Sequence, residues 1–111
     1  MRFNTKPLRK IQLERMRLAA RKNALYSGTI DNVGLQGLEG IAVALMNKAS
    51  RLFSLVVKNR DNYAGEQNES LRDTLLDAGN YADFGVALLD DTWTDVVRID
   101  RGGRKWKPKS R

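Results

Sequence analysis

Between Leu38 and Val56 the chain repeats its apolar residues at a spacing that suits an α-helix and little else. Leu38, Ile41, Ala42, Leu45, Ala49, Leu52, Phe53 and Val56 fall in a stripe about 120° wide when successive residues are turned by about 100°. A second such pattern runs through NESLRDTLLDAGNYADFGVALL, residues 68 to 89, where Leu71, Leu75, Ala78, Ala82, Val86 and Leu89 share one face. A third lies in residues 6 to 27, with Leu8, Ile11, Leu18, Ala19, Leu25 and Tyr26 near one side, Pro7 in the first turn and Gly28 as the stop. These periods predict an all-α domain of three main amphipathic helices.

The intervening segments read as connections. GTIDNVGLQG, residues 28 to 37, concentrates glycine and small polar residues and is expected to be a loop. KNRDNYAGEQ, residues 58 to 67, is a polar connection, after which Asn68 is placed to cap the third helix and Glu69 to favour its dipole. DDTWTDVVRID suits a short, weakly structured helical segment, since a strand there has nothing to pair with. With 111 residues the chain has room for one core, which assigns residues 1 to 100 to a single domain and 101 to 111 to a basic tail. Three amphipathic helices in about 85 residues bury only a modest core, so a homo-oligomeric helical bundle is expected.

The net charge of +7 is unevenly distributed. Residues 1 to 27 hold eight Lys or Arg against Glu14 alone, and RGGRKWKPKSR at the end adds six more and no acid. Residues 28 to 100 carry six basic and twelve acidic side chains, so an acidic middle is flanked by basic ends. In the tail, Arg101, Arg104, Lys105, Lys107, Lys109 and Arg111 surround Trp106, a composition able to contact nucleic-acid phosphates while the ring stacks. There is no run of about 18 consecutive apolar residues and no signal-peptide pattern at the start, so a cytoplasmic protein without membrane contact is expected. The absence of Cys and His excludes thiolate and imidazole chemistry. Any catalysis here rests on carboxylates, amines, hydroxyls or a hard cation held by oxygen.

The third helix raises the main chemical question. Glu69, Asp73 and Asp77 recur every four residues, along a ridge set apart from the leucine stripe, with Asn80 beside it and Asp77 displaced toward Tyr81 and Phe84. Acids at this spacing repel one another. They form either a solvated face or a place where a divalent cation lies. On the second helix Ala44, Lys48 and Arg51 share a flank. The two cations can hold a phosphate, Arg through its planar fork and Lys as a point charge, or can form salt bridges with the acids of the third helix.

NKASRL, residues 47 to 52, followed by ESLRDTLLDAGNYA, residues 69 to 82, resembles the phage and bacterial nucleotide-modification-associated proteins related to the MazG-type all-α nucleotide pyrophosphohydrolases. The likeness covers roughly residues 21 to 89, with RKNALYSG similar to the family's Lys-rich segment ending in Tyr-Gly. The resemblance implies Mg²⁺ held by Glu69, Asp73 and Asp77, catalytic roles for Asp73 and Asp77, Lys48 and Arg51 near phosphate, and Asn80 and Tyr81 near base or sugar. Its implied activity is cleavage of a nucleoside triphosphate or modified nucleotide between the α and β phosphates. Asn47 stands where the related proteins commonly carry Asp, and Ala44 where they often carry a base. Losing that carboxylate motivates the alternative of a protein that binds and sequesters a cyclic or linear nucleotide signal of host defence without hydrolysing it.

Overall fold

A computed structural model describes residues 2–25, 29–60 and 62–96, and they are all-α. The tail and its proposed nucleic-acid contacts lie outside the described residues. α1 spans Lys6–Leu25, α2 Thr29–Lys58, α3 Glu66–Leu89 and α4 Trp93–Val96. The three long helices and the short C-terminal one are those read from the sequence.

Two boundaries differ from the sequence reading. The segment expected as a loop over residues 28 to 37 is helical from Thr29 onward, and only Gly37 leaves the helix, at φ 66° and ψ −156°. Glycine adopts that backbone at little steric cost, so its role here is a sharp break inside α2 rather than an extended loop. α3 begins one turn earlier than Asn68 would place it, with Gly65 at φ 61° as its N-cap. At its other end Asp91 takes φ 58°, and the Thr92 amide returns to the Ala87 carbonyl at 2.9 Å. This left-handed stop turns the chain back so that Trp93 lies edge-on against Phe84, ring centres 5.2 Å apart.

α2 and α3 form an antiparallel pair, in which Ile41 lies opposite Gly85 and Lys48 opposite Asp77. A Cβ on Gly85 would stand 3.3 Å from the Ile41 side chain, so the small residue lets the two helices close at this end. Ile41 and Trp93 form a small buried cluster, with Leu45, Tyr81, Phe84, Ala87 and Leu88 packed against it. α1 crosses the same pair with little apolar help. Ile11 and Leu8, expected on its packed face, are largely exposed, and contact runs instead through Glu14, Arg15, Leu18, Ala19 and Lys22.

The orientation of α3 also differs from a helix packed by its leucines. Its buried residues are Thr74, Leu76, Asp77, Asn80 and Gly85, whereas Leu75, Ala82, Val86 and Leu89 are exposed. Hydrophobicity alone favours the leucine stripe inward. The folded chain buries Leu76, Asp77 and Asn80 instead, leaving Glu69 and Asp73 exposed, and cations from α1 and α2 neutralise Asp77.

Candidate functional site

The ridge meets its partners where α1, α2 and α3 converge. Lys22 of α1 donates to both carboxylate oxygens of Asp77, at 2.8 and 2.7 Å. Lys48 of α2 donates to the same carboxylate, to Oδ2, at 3.1 Å. Asp73, one helical turn before Asp77, lies 3.6 Å from the Lys22 ammonium. Asp77 is nearly covered, its side chain 10% exposed, while both lysines remain partly open to water. Burial by itself would lower the pKa of Lys22. The hydrogen bond and charge of Asp77, joined by Asp73, outweigh that and hold it above the ordinary lysine value.

Lys48 and Asp77, anticipated from separate helices, are therefore in contact, and the salt-bridge alternative raised for Lys48 is what the protein adopts. Arg51 stands exposed on the same flank of α2 and makes no hydrogen bond or ion pair among the described residues. Glu69 and Asp73 face a shallow groove of about 200 Å³ between α1 and α3, lined also by Glu14, Leu18, Arg21, Arg72 and Leu76. Asn80 is buried and gives its amide to the Arg15 carbonyl at 2.8 Å, tying α3 to α1. Tyr81 packs edge-on to Phe84 at 5.8 Å, within the α2–α3 interface.

Lys22 carries the arrangement yet was not singled out from the sequence. It lies inside RKNALYSG, the segment the resemblance picked out, but nothing in its local pattern separates it from the seven other cations of residues 1 to 27. The same holds for Arg15, which pairs with Asp83, and for Arg72, which forks onto Glu14. Together these pairs hold α1 on α3 largely through charge.

A resident Mg²⁺ requires carboxylate oxygens turned toward one another with room between them. Here the Lys22 ammonium takes the position between Asp73 and Asp77 that such an ion would need. Among the described residues no three acids converge as a cation site. The residues as arranged do not fit Mg²⁺. Each ammonium carries three donors, and Lys48 gives one of them to Asp77. Compared with known proteins, the chain matches no family model, no curated protein and no solved structure.

Proposed function

We propose that this chain is a nucleotide-handling protein of the cytoplasm that binds a phosphate-bearing ligand at the Lys22–Asp77–Lys48 junction without hydrolysing it. The observation that carries the reading is the meeting of two ammonium groups on one buried carboxylate, one helical turn from Asp73 in the wall of the α1–α3 groove. Asp77 acts as the anchor. It fixes both cations in place before a ligand arrives, which reduces the ordering cost of binding. The donors left on Lys48, with Arg51 and Arg21 at the margins, supply charge-assisted hydrogen bonds to phosphate oxygens. The resemblance of residues 47 to 52 and 69 to 82 to the nucleotide-modification-associated proteins supports a nucleotide over other phosphates, and Asn47 supports retention over cleavage.

The test is capture from an equimolar panel of nucleoside mono-, di- and triphosphates and cyclic nucleotides, followed by heat denaturation and mass spectrometry of what is released. An intact nucleotide, bound at least about tenfold more weakly by Lys48→Met, is the expected result. No captured nucleotide, or equal capture by Lys48→Met, would overturn the reading.

A second reading is Mg²⁺-dependent pyrophosphohydrolysis, favoured by the presence of both Glu69 and Asp73 on one groove. It requires Lys22 to leave the two aspartates. Pyrophosphate release from a nucleoside triphosphate in the presence of Mg²⁺, abolished by Asp73→Asn, would establish it in place of the first.

A further inference from the structure

One face of the molecule is left apolar by the fold. Along α2 the residues packed toward α3 are Ile41, Leu45, Lys48, Leu52 and Leu55, and along α3 they are Thr74, Ala78, Tyr81, Gly85 and Leu88. Both series step by four and three, the spacing of interlocking helices. One residue further on, each helix carries a second series: Ala42, Met46, Ala49, Phe53 and Val56 on α2, and Leu75, Ala82, Val86 and Leu89 on α3, where the remaining place is taken by Gly79 against the Arg15 side chain. Every one of these apolar side chains is exposed; Met46 and Phe53 are each 71% accessible and Leu89 70%.

A step of one residue turns the face by about 100°. Because α2 and α3 run in opposite directions, this rotation carries both second series to the same side of the pair. That side is turned away from the flank where Lys48, Asp77 and Asn80 lie, and the Arg15 side chain of α1 reaches its edge at Gly79. The two series thus make one continuous apolar surface two helices wide.

We infer that a second copy of this chain docks on that surface, pairing α2 and α3 of each protomer into a four-helix core with the α1 helices outside. Such a face is its own complement under a two-fold axis. Its residues alternate in size, Ala42 and Ala49 with Met46 and Phe53 on α2, and Ala82 with Leu75 and Leu89 on α3, which lets large side chains of one copy enter the gaps of the other.

A lipid surface is the competing occupant, since the segment Gln36–Lys58 is long enough and, at a mean hydropathy of 1.4, apolar enough to cross a membrane. The rest of α2 argues against it. Asn47, Arg51, Ser54 and Lys58 occupy its other exposed side and Lys48 is paired with Asp77, so this helix is not apolar around its circumference. The α3 side of the surface is bordered by Asp90, Asp91 and the Arg15–Asp83 pair, whereas an interfacial helix places unpaired Lys and Arg there.

The full chain at tens of micromolar should scatter light as about twice its 12.6 kDa mass, and Met46→Glu with Phe53→Glu should return it to a monomer. The chain has no cysteine, so a single introduced thiol reports the surface even where those charges prevent folding. Ala49→Cys should react with a water-soluble thiol reagent at least about tenfold more slowly than Ser54→Cys, and should gain reactivity on dilution. A monomeric mass at tens of micromolar, equal reactivity at the two positions, or a monomer that floats with phosphatidylcholine–phosphatidylglycerol vesicles would overturn the inference. None of these readouts involves the lysine cluster, so they stand or fall apart from the ligand reading.

Discussion

The ammonium of Lys48 and the carboxylate of Asp77, 29 residues apart in the chain, meet at 3.1 Å, and the same carboxylate grips Lys22 at 2.7 Å. One acid therefore serves two bases from different helices. Removing the acid and removing a base are not equivalent. Asp77→Ala leaves two ammonium groups facing one another with their common counter-ion gone, and should lower unfolding free energy by about 1–3 kcal/mol, the partial exposure of the lysines limiting the loss. Lys48→Met leaves Asp77 bound at both oxygens by Lys22 and should cost less than about 1 kcal/mol. Urea denaturation of the two variants checks the order; equal losses would mean that Asp77 is not the shared anchor.

The clamp also has an alkaline limit. Lys22 is held above its ordinary value of 10.5 because its bonds to Asp77 and Asp73 outweigh the effect of burial. A raised folded-state pKa means that the stabilisation is complete below the unfolded value and is lost as pH climbs through the folded one. The stability difference between the wild-type chain and Lys22→Met should accordingly stay constant from neutral pH to about pH 10 and shrink above it. Thermal melts of both proteins across that range measure this directly.

α1 is attached through Arg15–Asp83, Arg72–Glu14 and the Lys22 contacts, with few buried apolar side chains. Exposed ion pairs are screened by salt, the Debye length falling from about 10 Å at 0.1 M to about 3 Å at 1 M. Hydrogen exchange of α1 amides should therefore accelerate in 1 M sodium chloride, while that of α2 and α3 changes little. Uniform behaviour of all three helices would show that α1 is held by packing instead.

Trp93 is nearly buried and stacks edge-on with Phe84 above Ile41. Truncation to alanine should cost about 2–4 kcal/mol, the range for a large aromatic side chain that leaves a partly collapsible gap. A Trp93→Ala chain that unfolds at the wild-type urea midpoint would exclude α4 from the folded core.

The helices themselves were legible because each apolar series keeps its 3.6-residue period for several turns. The start of α2 was not, since Gly34 and Gly37 both read as breakers and only Gly37 acts as one. Facing was harder still. α3 offers two candidate inward faces, the leucines and the acidic ridge, and choosing between them depends on Lys22, Lys48 and Arg15, whose proximity arises only after folding. The convergence of Lys48 with Asp77 was readable from the charges on two neighbouring helices. The covering of Asp77 by Lys22 was not, because it depends on how α1 crosses the pair.

α2 itself is broken at Gly37. A Cβ at this position would meet no neighbour, so the demand falls on the backbone, held at φ 66°. A side chain here would strain that backbone by about 1–3 kcal/mol, favouring one straight shaft of about 45 Å in place of the elbow. A hydrogen-sized side chain thus acts as the hinge pin between the two lengths of α2.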